Sequence, residues 1–199
     1  MLRTKFEGAD LPHRFMWEIV EEQAKRASEL ERDWSKPALV AMVFAFHAVE
    51  AYLNFVGGLL APEVWQDERD YFRKEPYRGW HGKLRKVMEL VELKMSEEAR
   101  PLKTVFELKR LRDAIAHGKP EKLAGDVVHD EETEAPFAVS ELRSMFTPKR
   151  KVADAVSDVE ELLNRIHSLA KGKVKEQGFG DKALQGPSQC VSWTTTLSR

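Results

Sequence analysis

Three side chains near the middle of the chain have the types and spacing to move a proton and to hold an anion. Arg112, Asp113 and His117 lie within the segment LKTVFELKRLRDAIAHGKP. A histidine side chain ordinarily titrates near neutrality, which suits general acid–base work. A fixed guanidinium suits negative charge developing on a phosphorus centre. Asp113 and His117 are four apart, so on a helix a carboxylate there can orient an imidazole. Read as a helix, the segment puts Leu102, Val105, Leu108, Leu111, Ile115 and Ala116 on one core-facing side. Arg112 falls in the middle of that side, where burial without a partner is strongly unfavourable. The helix stops at Gly118-Lys119-Pro120, because glycine accepts a left-handed C-cap and proline cannot continue the ladder.

A partner for Arg112 is available upstream. Residues 37–60, PALVAMVFAFHAVEAYLNFVGGLL, read as a helix apolar nearly all round, interrupted by His47, Glu50 and Asn54. Spacings of three and four place those three on a single stripe. A polar stripe inside a core requires complementary groups opposite it. The expectation is therefore a Glu50–Arg112 ion pair, with Asn54 hydrogen-bonding nearby. The pair reads equally as a purely structural bridge or as part of a functional site. The helix is long enough to span a bilayer. An acid at its centre and the lack of a basic anchor favour a buried core helix instead, and no membrane partner is expected. His47 and Glu50 do not complete a metal site, since the paired Glu-x-x-His motifs of di-iron bundles are absent. No metal or cofactor is expected.

The order Arg112-Asp113-Ala114-Ile115-Ala116-His117 is Arg, a polar residue, three further residues, then His. Closing an apolar helix on His-Gly, downstream of a long apolar helix, it resembles the signature of the HEPN superfamily of small helical bundles. The resemblance covers mainly residues 37–60 and 102–120. It implies a metal-independent endoribonuclease, usually a homodimer joining two Arg–His motifs across a shared cleft. RNA brings its own nucleophile, the 2′-hydroxyl, so such a site needs only proton transfer and charge stabilisation. By that resemblance His117 is the acid/base, Arg112 the phosphate stabiliser and Asp113 the group that orients His117. The family also contains non-catalytic bundles that bind partners or nucleotides, so an interaction or regulatory protein is the alternative. A toxin–antitoxin or phage-defence setting, with an antitoxin or nucleotidyltransferase partner, is likewise implied only by the resemblance. Residues five apart stand about 140° apart around a helix. A single subunit therefore cannot aim both side chains at one phosphate unless its last turn loosens.

The elements that must position these residues make an all-α chain: one helical bundle of four to six helices, residues 1–170, around a long buried central helix. Besides 37–60 and the helix ending at His117, helices are expected over about 10–34, 62–71, 82–93 and 148–170, from apolar spacing and capping signals. The loop RKEPYRGWH mixes cations and aromatics, the composition that holds single-stranded RNA. Arg73, Lys74, Tyr77 and Arg78 are the candidate contacts, although ordinary surface has the same make-up. Residues 121–146 are acidic and read as a loop or weak hairpin; residues 171–199 read as a polar tail, mobile or loosely docked. His13 and His167 read as surface or packing residues.

The 199 residues carry a formal net charge of −1, so no global basic field attracts nucleic acid and any RNA contact must be local. With 33% charged and 42% hydrophobic residues the composition is that of a soluble globular protein. A single cysteine, Cys190, excludes an internal disulfide framework and fits a reducing compartment. The N-terminal segment lacks an apolar signal region, so a cytoplasmic location is expected. Phosphate-loop, dinucleotide, zinc-protease, hydrolase-elbow and EF-hand patterns are absent from the sequence.

Overall fold

The computed structural model describes residues 2–120, 122, 140–174 and 180–197. In chain order the elements are β1 (Leu2–Asp10), α1 (Pro12–Glu29), α2 (Ser35–Leu60), α3 (Pro62–Gln66), α4 (Glu68–Tyr71) and α5 (Gly79–Leu90). They continue with α6 (Leu102–Ala116), α7 (Glu141–Phe146), α8 (Arg150–Lys171) and β2 (Gln189–Leu197). Five of the helices are long enough to build layers, and the protein is predominantly helical.

α2 is the hub because most of its circumference is apolar. Ala38, Ala41, Ala45 and Ala48 are fully buried, and such small residues let neighbouring helices approach closely. Phe46, Val49, Tyr52, Leu53 and Val56 fill the remaining core-facing positions. α1 lies along α2, and α8, α5, α6, α3 and α7 also pack on it. Among the described residues α2 is the one helix long and apolar enough to cross a membrane, and half of its most apolar stretch is buried in the bundle. The stripe it leaves nearer solvent contains Val40, His47, Glu50 and Asn54.

α8 closes the bundle with Val152, Ala155, Val159, Leu162, Leu163 and Ile166 buried at helical spacing. Asp158 lies on that same side, 3% exposed. It accepts hydrogen bonds from Arg100 Nε at 2.7 Å and from the Thr104 hydroxyl. A buried carboxylate needs such donors, and these two fasten the start of α6 to the middle of α8.

Several expectations are corrected. α1 ends at Glu29 rather than near residue 34, and Asp10 is the last residue of a strand instead of a helix cap. Within the expected acidic loop, Glu141–Phe146 is a helix capped by the Ser140 side chain, which accepts from the Arg143 N–H; residues 121 and 123–139 lie outside the described residues.

The largest correction concerns the polar tail. Ala183 and Leu184 are buried, and the Ala183 N–H donates to Asn164 Oδ1 at 3.1 Å. Arg14 Nη1 donates to the Pro187 carbonyl at 3.1 Å, and the Leu11 N–H to the Ser188 carbonyl at 2.7 Å. Gly186 has φ +111, and a Cβ there would stand 3.0 Å from Arg14 Nη1, so glycine is what allows this strap to wrap the guanidinium. β2 then pairs antiparallel with β1, Asp10 opposite Gln189 and Leu2 opposite Leu197. Under the strap His13 and His167 are both buried, and the Tyr52 hydroxyl lies 3.0 Å from His167 Nδ1.

Candidate functional site

The last turn of α6 leaves the core. Leu102, Val105, Leu108 and Leu111 are buried as their spacing requires, whereas Ile115 is 38% exposed and Ala116 and His117 are exposed too. The helix runs past the edge of its neighbours before it ends, so the two apolar residues expected to finish the core face solvent. His117 is the C-cap, and its backbone N–H donates to the Asp113 carbonyl at 3.0 Å. The last turn of a helix is where an imidazole interacts favourably with the unsatisfied carbonyls.

Arg112 is half-buried and fully engaged at its tip. Nη2 donates to Glu50 Oε1 at 3.1 Å, so the ion pair anticipated from two complementary misfits is present. Nη1 donates to Asp113 Oδ1 at 2.8 Å. The guanidinium lies over the Phe46 ring, 5.0 Å from its centroid, and Nε is buried without a hydrogen-bond partner. Glu50 also reaches back along α2, its Oε2 3.4 Å from His47 Nδ1. Lys109 donates to Asp113 Oδ2 one turn below. The result is a row of alternating charges, Glu50, Arg112, Asp113 and Lys109, with the His47 ring beside Glu50. The Lys109 hydrogen bond holds the Asp113 carboxyl below its usual range; burial, the next largest effect, opposes it, and the charges of Lys109, Arg112 and His117 add to the lowering.

Two expected roles change. Asp113 engages its carboxylate with Arg112 and Lys109, so it positions the guanidinium rather than the His117 imidazole; its backbone carbonyl accepts from the His117 backbone N–H. Asn54 is on the same stripe as Glu50 but one turn further along, where α5 arrives. Its Oδ1 accepts from Lys83 Nζ at 2.8 Å, and Lys83 also bridges to Glu68 at 3.1 Å. Asn54 thus ties α2 to α5 and α4, apart from Arg112.

Sequence reasoning missed Lys109 and Phe46. Both carried a signal: Lys109 is one turn before Asp113, and Phe46 is one turn before Glu50 on the helix that receives Arg112. The four candidate RNA contacts lie together at the junction of α4 and α5. Arg73, Lys74 and Arg78 are exposed, and Tyr77 is half-buried. Arg78 borders a groove of ≈ 1170 Å³ between α5, the segment 92–97 and the start of α6, with Leu84, Met88, Leu102 and Phe106 in its floor. The groove does not include Arg112 or His117. Among the described residues no group of three or more His, Cys, Asp or Glu side chains is arranged to hold a metal ion.

The arrangement can hold a guanidinium in one orientation at the surface while presenting a histidine beyond it on the same helix end. Comparison with family models, curated proteins and solved structures returns no match for this chain.

Proposed function

We propose that this chain is a metal-independent endoribonuclease of HEPN type, acting as a homodimer in the cytoplasm. The observation that carries the reading is the position of His117: exposed at the end of α6, five residues beyond an Arg112 braced from two sides by Glu50 and Asp113. An imidazole there takes the proton from the RNA 2′-hydroxyl as that oxygen attacks the adjacent phosphorus. The leaving 5′-oxygen is protonated by a second acid, and the products are a 2′,3′-cyclic phosphate and a 5′-hydroxyl end. Arg112 stabilises the charge on the non-bridging oxygens. Residues five apart stand about 140° apart on a regular helix; a twofold-related α6 completes the site, and the exposed Ile115 and Ala116 beside His117 give such a partner an apolar contact. Toxin–antitoxin or phage-defence biology, with an antitoxin or nucleotidyltransferase partner, is the setting this reading entails.

A second reading is favoured by one feature. Both terminal nitrogens of Arg112 already have carboxylate partners within the subunit, the pattern of a structural ion pair in a non-catalytic interaction bundle. Incubating purified protein with varied RNAs in EDTA, wild type beside His117→Ala, decides between them. Cyclic-phosphate ends lost in the variant are the expected result. A folded dimer that cuts none of the RNAs establishes the interaction bundle instead.

A further inference from the structure

Away from the Arg112 cluster, the junction of α4 and α5 gathers basic charge. Residues 69–89 contain seven Lys or Arg (69, 73, 74, 78, 83, 85 and 86) against three acids (70, 75 and 89), in a protein of net charge −1. Two aromatic rings stand within this patch. Tyr71 and Tyr77 are stacked, their planes 24° apart and their centroids 5.6 Å apart. Lys86 Nζ lies 5.3 Å from the Tyr77 ring and 6.0 Å from the Tyr71 ring, and Arg85 lies 5.8 Å from Tyr77.

The platform is preformed. The Gly79 N–H donates to the Phe72 carbonyl at 2.7 Å and the Tyr77 N–H to the Lys74 carbonyl at 3.1 Å, closing the loop on itself. Gly82 admits the loop against α5, since a Cβ there would stand 1.6 Å from the Tyr77 carbonyl oxygen. The Tyr77 hydroxyl donates to Glu89 Oε2 at 2.6 Å, and Arg85 Nε donates to the other oxygen at 3.1 Å. The acid nearest the rings is thereby matched by its own donors, while Lys74, Arg78 and Lys86 make no ion pair among the described residues.

We infer that Tyr71, Tyr77, Arg78 and Lys86 form a docking platform for single-stranded nucleic acid, separate from the Arg112–His117 motif. Aromatic rings beside cations that make no ion pair suit unpaired bases and their phosphates, and a duplex keeps its base faces covered. A line of ring contacts runs from Arg112 to the first turn of α5, the helix that carries Lys86. Arg112 lies over Phe46, Phe46 touches Trp80 at 5.1 Å, and Trp80 adjoins His81 at 5.2 Å on the first turn of α5. The inference deepens the ribonuclease reading but stands on charge and stacking alone.

The test measures binding without cleavage. Fluorescence anisotropy of a labelled fifteen-nucleotide uridine RNA is followed in EDTA with full-length His117→Ala protein, and with the same protein carrying platform substitutions. The expected result is a preference for the single strand over a duplex of equal length. Tyr71→Ala weakens binding about tenfold, and Lys86→Ala lowers the salt slope by roughly one. Equal affinity for duplex and single strand, an unchanged Tyr71→Ala protein, or tighter binding to vesicles of anionic lipid than to RNA would each overturn the platform. So would absence of binding by protein whose circular dichroism is intact. RNA bound but never cut by the wild type refutes the nuclease alone; RNA cut normally by protein lacking Tyr71 and Lys86 refutes the platform alone.

Discussion

Acidification puts the strap region under a quantitative test through His13. Its ring is fully buried, edge-on to Tyr52 at 5.4 Å and against Phe55 at 4.9 Å, and neither ring nitrogen completes a hydrogen bond. Burial, then the Arg14 charge beside it, push its pKa down to about 4, and a contact with the Ala183 backbone opposes this only in part. An unfolded chain takes up this proton near pH 6.5, while the folded chain stays neutral until about pH 4. The unfolded state thus binds more protons in between, so stability falls as pH drops through that window. At 1.36 kcal/mol per pKa unit the full loss is roughly 3 kcal/mol, or a Tm lowered by about 6–12 °C for a chain of this size. His167, lowered mainly by burial as well, acts in the same direction. The assay is urea unfolding from pH 7 to pH 4, wild type beside His13→Phe. Phenylalanine keeps the ring contacts and removes two unsatisfied nitrogens, so the variant should match or exceed the wild type at pH 7 and lose roughly 3 kcal/mol less on acidification. A pH dependence unchanged by the substitution would refute the assignment to His13.

Four further outcomes follow from the structure described above. Glu50→Gln and Arg112→Ala, combined in a double-mutant cycle, should show a coupling of about 0.5–1.5 kcal/mol, kept modest because both side chains are near 30% exposed; strictly additive unfolding energies would mean that the pair is not formed. Gly82→Ala should cost about 1–3 kcal/mol, because its methyl meets the Tyr77 backbone and not a flexible side chain; an unchanged thermal midpoint would contradict the packing. Asp158→Ala should destabilise by about 2 kcal/mol by leaving Arg100 Nε and the Thr104 hydroxyl without this acceptor, whereas His117→Ala, exposed at a helix end, should shift stability by less than about 1 kcal/mol. Chemical denaturation checks both.

The parts of the fold legible in the sequence were those written in local periodicity. α2 and α6 follow from apolar spacing, and their contact follows from one charge misplaced on each. The same reasoning applied to α8 would have found Asp158, which stands three residues after Ala155 and four before Leu162 on the apolar side. Ile115 misled because periodicity gives a side's direction and not where the neighbouring helix stops. Asn54 misled for a related reason: a stripe on one helix does not reveal which other helix crosses each turn. The Asp113 role was open between two cations and an imidazole at helical spacing, and the stronger charge pairs won. β2 carries the β-branched residues of a strand, Val191 and Thr194 to Thr196, but its partner is at the opposite end of the sequence, where no local signal reaches.

That last pairing has a consequence for how the molecule is made. All of the helices lie between β1 and its partner in the sequence, so β1 must wait, unpaired, until they and β2 have been made. Closing a loop of that length is entropically unfavourable unless the helices have already brought its ends together. The ribbon is therefore the final stitch, and the strap that carries β2 over His13 and Arg14 is sewn in with it. A fusion or tag that holds either strand away from the other would leave the helices folded and the cover over that buried pair undone.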